Sequence, residues 1–342
     1  MRQKRPTFQE LAKLANVSQA TVSRIAAGRP NVDSTIRERV QQTARNLGLD
    51  LDRRRDDSSR TLAFVLGNRD VLHSFHARVL AGAESYAAAH DWEMFHLTLR
   101  YQPGTPTREL RLPQILQRRS HVRGLILAGV NSMNLLHALQ QRHIPFSVLG
   151  NNLLGDDLPD FCDLVYSDDV RGGFDVTTHL IGLGHRHIWF IGDTRMPWFT
   201  RCGTGYQQAM AQAGLEPHVC EFHSDGRELG YLGAKSLLSP RVPASAIFAG
   251  SDQVAAGVYA ALREARVAVP DDISVVGFSD SEAAILLPAL TSVREFPEEL
   301  GRQLAAFALS RIRDPAQPAR QLTIPTQLVV RESTHAAAPS FV

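Results

Sequence analysis

Apolar residues in the first fifty positions recur at helical spacing in three short runs. The first run, TFQELAKLA from Thr7, places apolar residues at i, i+3, i+4 and i+7 and has the threonine-to-glutamate spacing of a capping box. The second run begins after Ser18 and ends near residue 28, and only Val22 and Ile25 form its apolar face. A third run begins near Ser34. The pattern predicts three short helices, of which the middle one leaves most of its surface outside the core.

From residue 61 the pattern changes to short β-rich apolar runs that alternate with helical stretches. The predicted helices include 75–90, 170–182 and 252–266. The predicted strands are TLAFVLG, WEMFHLTL, RGLILAGV, FSVLGN, DLVYSD, HIWFIGD, HVCEFH, AIFAGSD and SVVGFSD. Alternation of strand and helix is typical of parallel sheets covered by helices on both faces. So many strands exceed a usual open sheet, and we predict an α/β fold with two sheets in two lobes.

Charge is unevenly distributed, although the 342-residue chain has a net charge of only +2. Residues 1–60 hold 13 Lys or Arg against 7 Asp or Glu, a balance of +6, and the remainder holds 24 against 28, a balance of −4. A cationic head on a mildly acidic body favours an acidic partner such as nucleic acid, although a solvated basic surface has the same composition. No signal-peptide pattern and no run of 18 apolar residues occurs, so we expect a cytoplasmic protein with no membrane partner.

Polar residues follow several predicted strands, where open α/β sheets bind their ligands. These strand ends are Asn68-Arg69, Gly129 to Asn131, Asp168-Asp169, Asp193, Ser251-Asp252 and Ser279-Asp280. The histidines lack metal-ligand spacing, and no phosphate-binding loop, dinucleotide fingerprint or nucleophile elbow occurs. We therefore predict neither metal nor cofactor. An enzyme on this scaffold would rest only on paired carboxylates in a cleft.

Motifs in matching order along nearly the whole chain resemble the LacI/GalR family of bacterial transcription regulators. They are TFQELAKLANVSQATVSRIAAGRPNVDSTIRERV, HLIGLGHRHIWFIG, GYQQAMAQAGL, FAGSDQVAAGVYAALREARVAVPDDISVVGFSD, PALTSVRE and IPTQLVVRES. The resemblance implies a three-helix helix-turn-helix head and a periplasmic-binding-protein-like body of two α/β/α lobes. It also implies a homodimer on a palindromic double-stranded DNA operator and a small polar effector, a carbohydrate or a derivative of one, between the lobes.

The resemblance suggests boundaries for these parts. Residues 1–48 would form the DNA-binding domain, 49–60 a linker, and 61–335 the effector-binding domain. The chain would cross between the lobes near 163, 291 and 321. The N-lobe would then comprise about 61–162 and 292–320, and the C-lobe about 163–291 and 321–335.

The start of the second helix matches the family's base-reading positions. There Gln19 would pair with adenine through two hydrogen bonds, and Ala20 would touch a thymine methyl group in the major groove. Other polar residues of the head are expected to contact phosphates or cap helices, and Arg24 is also expected to reach a base. This second group comprises Thr7, Ser18, Thr21, Ser23, Arg24 and Asn31.

The same matching suggests which residues would contact the effector, because carboxylates accept hydrogen bonds from hydroxyl groups and aromatic rings cover a sugar's apolar face. The candidates are His73, Phe75, Asp168, Trp198, Arg201, Asp225, Asp252 and Asp280. Arg201 lies one place before the family's ligand arginine, and Asp225 falls where many sugar binders carry an aromatic residue. An amine-bearing or heavily hydroxylated ligand therefore fits as well as a plain hexose. Each strand-end aspartate also fits the role of a helix N-cap.

The segment LDLDRRRDDSSR departs from the family's hinge helix, which inserts a leucine into the minor groove. Leu51 is its candidate leucine, and aspartates flank it. Two functions remain open at this point. The chain is either an effector-controlled transcription regulator, most simply a repressor, or an effector-binding module with weakened DNA recognition.

Overall fold

The computed structural model describes residues 7–26, 32–47, 49, 60–69, 74–117, 121–155, 159–220, 222–224, 226–238 and 243–337. Four residues named from the sequence, Asn31, Leu51, His73 and Asp225, lie outside the described residues. The same holds for the predicted end of the second helix and for most of the 49–60 linker. The described residues form a helical head and two α/β lobes.

The head consists of α1 (Phe8–Leu14), α2 (Gln19–Ala26) and α3 (Ser34–Asn46). Asn16, in the turn between α1 and α2, has a φ of 51°, in the left-handed region that asparagine tolerates. The three helices share a small core whose buried members are Leu11, Ala12, Ala15, Val22, Ile25, Val40 and Ala44. The helices and their apolar faces agree with the sequence pattern.

The N-lobe contains a six-stranded sheet within the described residues, with all pairs parallel and the strand order β13-β7-β5-β3-β1-β2. One face packs on α4 and α11, and the other packs on α5 and α6. Its elements are β1 (Thr61–Gly67), α4 (Ser74–Ala89), β2 (Glu93–Leu99), α5 (Gln114–Gln117), β3 (Gly124–Gly129), β4 (Asn131–Ser132), α6 (Met133–Gln141), β5 (Phe146–Leu149), β6 (Leu153–Leu154), β7 (Asp163–Ser167), α11 (Pro297–Arg313) and β13 (Gln321–Ile324).

A buried ion cluster ties α11 to the sheet at the start of β7. The Asp163 carboxylate is fully buried, and its Oδ1 atom lies 2.9 Å from Arg311 Nη2 and 3.1 Å from Arg320 Nε. Burial alone would raise the pKa of Asp163, but hydrogen bonds from the two arginines outweigh burial and lower it.

The C-lobe contains the second sheet, six-stranded in the part of the chain that the structure describes, with the order β14-β12-β11-β10-β8-β9. Only the β12 and β14 pair in this sheet is antiparallel among the described strands. Its elements are α7 (Asp169–Gly182), β8 (Ile188–Ile191), α8 (Pro197–Gln212), β9 (His218–Cys220), α9 (Gly226–Leu238), β10 (Ala246–Ala249), α10 (Asp252–Glu264), β11 (Ser274–Ser279), β12 (Thr291–Arg294) and β14 (Gln327–Val329).

The chain crosses between the lobes after β7, after β12 and after β13, near residues 168, 295 and 325. These crossings lie about four or five residues later than the sequence predicts. The cause is long-range pairing, because β7 and β13 hydrogen-bond within the N-lobe sheet whereas β12 pairs with β11 in the C-lobe. An apolar run predicts a strand but not the sheet that receives it.

The described helices include none that is both long and apolar enough to cross a bilayer. The three cysteines are buried free thiols at Cys162, Cys202 and Cys220. Two features of the fold therefore position the candidate sites: a small head with one uncovered helix, and a cleft where the three crossings meet.

Candidate functional site

Helix α2 presents one face to the head's core and the other to solvent. Val22 is fully buried and Ile25 nearly so, whereas Gln19, Ala20 and Ser23 are exposed. Arg24, in the last turn, is exposed as well. The residues that the sequence assigns to base edges thus lie on a free surface of a helix that fits the major groove.

Three of the predicted phosphate contacts also form hydrogen bonds at the N-terminal ends of α1 and α2. The Thr7 hydroxyl accepts a hydrogen bond from the Glu10 N–H at 3.3 Å, and the Glu10 carboxylate accepts one from the Thr7 N–H at 2.7 Å. Ser18 Oγ accepts the Thr21 N–H at 3.0 Å, and the two hydroxyl groups lie 2.8 Å apart. These hydrogen bonds therefore stabilise the N-terminal ends of α1 and α2 through Thr7, Ser18 and Thr21.

An enclosed site lies between the lobes, and about 80 Å³ of it is open to the centres of water molecules. A space of this size takes a small ligand rather than a polymer. Both lobes contribute polar and aromatic side chains to its wall. The lining residues are Arg69, Ser74, Phe75, His76, Asn151, Asn152, Asp169, Trp198, Phe199, Gly250, Ser251, Gln253, Phe278, Ser279, Ser281 and Glu295.

Two carboxylates from separate crossings meet in this wall. Asp169 begins α7 directly after β7, and Glu295 follows β12; both side chains are buried. Asn151 donates to Asp169 Oδ2 at 2.6 Å, and the Ser167 N–H donates to Asn151 Oδ1 at 2.7 Å. Burial raises the pKa of Asp169 to about 6, against the opposing effect of Arg201. Burial and the charge of Asp169 raise the pKa of Glu295 well above its ordinary value.

Cationic and aromatic groups complete the cleft. The Arg201 Nε atom lies 3.7 Å from Asp169 Oδ2, and its guanidinium lies 5.2 Å from the Tyr166 ring centre. Across the cleft, the Arg69 guanidinium of the N-lobe lies 4.5 Å from the Trp198 ring centre of the C-lobe. Phe75 adds an apolar surface on the N-lobe side. The predicted Phe75 and Trp198 are therefore in the wall, and Arg201 lies directly behind it.

The three predicted strand-end aspartates have other roles and are not among the described lining residues. Asp168 caps α7 by accepting the Arg171 N–H at 3.2 Å. Asp280 binds two arginines, with Arg294 Nε at 2.7 Å and Arg331 Nη2 at 2.6 Å. Each of these two aspartates therefore has a structural partner, and its contact with the effector stays a prediction from the sequence motifs.

Asp252 is also structural, since its buried carboxylate holds the turn after β11. Its Oδ2 atom accepts N–H groups of Ser281, Glu282 and Ala283 at 2.7, 3.1 and 3.2 Å. Its Oδ1 atom accepts the Ser292 hydroxyl at 2.6 Å. Four donors satisfy this carboxylate and leave it little capacity for a ligand.

Sequence reasoning named Arg69, Asp169, Ser251 and Ser279 at strand ends, but its effector candidates were the neighbouring aspartates Asp168, Asp252 and Asp280. It missed Glu295 because β12 was not among the predicted strands. It also passed over the Asn151-Asn152 pair, although the signal was available: Asn151 ends the predicted strand FSVLGN and Asn152 follows it.

Two family profiles match the chain: "Bacterial regulatory proteins, lacI family" at residues 7–49 and "Periplasmic binding protein-like domain" at residues 177–334. The ribose operon repressor of Haemophilus influenzae is 30% identical, over 96% of this chain and 98% of the relative. The chain belongs to the LacI family. Membership agrees with the resemblance seen in the sequence and with the helix-turn-helix head and bilobed body of the structure.

Solved LacI family structures have the same architecture. The CelR–cellobiose complex superposes with a TM-score of 0.70 at 29% identity, covering 96% of this chain and all of that one. The lac repressor dimer bound to operator and to the anti-inducer ONPF superposes with a TM-score of 0.69 at 19% identity, covering 97% of this chain, which supports the fold alone. This LacI family protein is a DNA-binding transcription regulator.

Proposed function

We propose that this LacI family member is a cytoplasmic repressor that binds a palindromic operator as a homodimer and responds to a small polyhydroxylated effector. The observation that carries the proposal is the cleft, whose buried polar groups come from both lobes and from their crossings. A ligand that touches both lobes binds their open and closed arrangements unequally, which is what allosteric control requires. The cellobiose held by CelR supports a carbohydrate-like effector.

In the proposed complex, α2 lies in the major groove of the operator. Gln19 and Ala20 read base edges from the start of the helix, and Ser23 and Arg24 reach phosphates. Asn31 remains a proposed phosphate contact. The exposed face of α2 supports this assignment because only Val22 and Ile25 bind it to the core.

In the proposed effector site, Phe75 and Trp198 cover the apolar face of the ligand. Arg201, Asp169, Glu295 and Asn151 surround its polar groups. His73 and Asp225 stay proposals from the sequence motifs. The mixture of rings and hydrogen-bonding groups in the wall suits a sugar, which has apolar carbon faces and a rim of hydroxyl groups.

An apolar surface on the C-lobe supports the homodimer. Ile285 is 78% exposed and Leu287 is 89% exposed, and both line a surface groove with Val267 and Val269. Contiguous exposed apolar groups are costly in a monomer and mark association sites. We assign this surface to the second copy of the chain because a palindromic operator requires two heads.

The test is selection of a binding site from random DNA, followed by fluorescence anisotropy with a panel of sugars. We expect a palindromic site, nanomolar affinity and a steep salt dependence, with one sugar changing the affinity by roughly 5- to 150-fold. Gln19→Ala should alter the selected sequence, Arg24→Ala should weaken all sequences, and Gln42→Ala on the exposed part of α3 should do neither. Weak binding without sequence preference would instead favour an effector-binding module.

A further inference from the structure

The effector cleft contains an acceptor that no described residue satisfies. Asp169 is 2% exposed, and its Oδ1 atom accepts no hydrogen bond of acceptable geometry from a described residue, although the Ser167 side chain lies close enough to lower the pKa of this carboxyl group. Its other oxygen is occupied by Asn151 and lies near Arg201. A buried carboxylate oxygen without a donor is energetically costly, so Asp169 Oδ1 marks a position for a ligand's donor group.

A second buried carboxyl group, Glu295, lies in the same wall, and the charge of Asp169 acts on it. Arg78 is the cation that acts on Glu295, but it already binds the Glu298 carboxylate through two hydrogen bonds of 2.6 and 2.9 Å. Arg201 lies 3.7 Å from Asp169, and its Nε atom makes no hydrogen bond to a described residue. Each carboxyl group thus has one nearby arginine, and neither arginine holds it by a hydrogen bond between described residues.

Arg69, the other cation of the wall, is engaged at a different place. Its guanidinium lies 4.5 Å from the Trp198 ring centre. Burial raises the pKa of both carboxyl groups, because ionising both in one desolvated space is costly, so without a bound cation the pair favours holding a proton.

We propose that the effector is a polyhydroxylated amine, such as an amino sugar or an aminocyclitol, whose ammonium group binds between Asp169 and Glu295. The proposal rests on the function proposed above and specifies the ligand of the same cleft. An ammonium group has three N–H donors and one positive charge, so it supplies Asp169 Oδ1 with a donor and compensates the second carboxylate. The remaining hydroxyl groups would meet the asparagines and serines of the wall, and the carbon face would meet Phe75.

The experiment uses the full chain and matched triplets of ligands that differ at one substituent. Each triplet contains a hexose, its 2-amino form and its N-acetyl form, in the gluco, galacto and manno series, and aminocyclitols are measured beside inositols. Thermal shift identifies the binding series and calorimetry measures the affinities. We expect one amine to bind at least 10-fold more tightly than its hydroxyl and N-acetyl counterparts, since only the amine carries a positive charge.

Two conservative variants locate the ammonium group. Glu295→Gln and Asp169→Asn should each reduce the preference for the amine at least 10-fold. Glu299→Gln, an exchange of the same kind on α11 outside the cleft, should leave it unchanged. Without ligand, both cleft variants should unfold at or above the temperature of the unaltered protein, because an amide avoids the cost of ionising a carboxyl group in the buried space.

The proposal is overturned if the ligands that bind are neutral or anionic, if no amine in the panel binds, or if Glu295→Gln retains the full preference for the amine. A neutral sugar that binds the cleft and alters operator affinity would leave the proposed function intact. If no polar small molecule alters operator binding, the proposed function fails as well.

Discussion

Replacement of Asp252 by alanine distinguishes a structural carboxylate from a ligand contact. In the structure Asp252 accepts four hydrogen bonds, and the turn that it holds carries Ser281 into the wall of the effector cleft. Burial raises its pKa to about 6, so the group is still ionised at neutral pH and acts only as an acceptor.

The size of the effect follows from the donors that would lose their partner. Ser281 and Glu282 lie near the surface, where water can replace the carboxylate, but the Ala283 N–H and the Ser292 hydroxyl belong to buried residues. Two buried donors without an acceptor cost about 1–3 kcal/mol each, so Asp252→Ala should destabilise the protein by roughly 4 kcal/mol. Asp252→Asn keeps one acceptor oxygen and should cost about 1 kcal/mol.

Urea unfolding of the full chain measures this effect as a lower midpoint at an unchanged slope. Asp271→Ala is the matched control, because that side chain is 81% exposed and its removal should change the free energy of unfolding by less than about 0.5 kcal/mol. An Asp252→Ala protein that unfolds at the same urea concentration as the unaltered chain, yet no longer binds effector, would refute the structural role.

Three further substitutions test the remaining parts of the fold. Asp163→Ala removes the buried carboxylate that the partly exposed Arg311 and Arg320 share and should cost about 1.5–3 kcal/mol in urea unfolding; because the folded pKa of Asp163 is lowered, its contribution is present above the ordinary aspartate pKa and is lost as the pH falls through the folded value. Gly301→Ala would place a methyl group 1.9 Å from the Val79 carbonyl oxygen and should cost about 1–3 kcal/mol or more in thermal unfolding, whereas Gly182→Ala, with open space around it, should not destabilise. Leu287→Glu should convert the dimer to a monomer in light scattering, and a dimer that persists would exclude the C-lobe surface.

Local sequence patterns were sufficient to predict the helices of the head and nine strands of the lobes. The capping box at Thr7, the free face of α2 and the nine β-rich runs depend on residues within a few positions of each other, and each corresponds to a described helix or strand. The assignment of effector residues was less accurate. It identified Phe75 and Trp198 in the wall but named Asp168, where the neighbouring Asp169 faces the cleft.

Resemblance of motifs in the amino-acid sequence indicated the family. The sequence by itself also determined the α/β class and the exposed second helix of the head, because periodicity and capping act over one or two turns of chain. Only the tertiary structure decided which carboxylates share the cleft. At the junction of a strand and a helix, adjacent side chains point in different directions, so one position separates the cap Asp168 from the wall residue Asp169. Glu295 reaches the same wall because β12 pairs with β11 in the C-lobe sheet, and no local pattern encodes that long-range pairing.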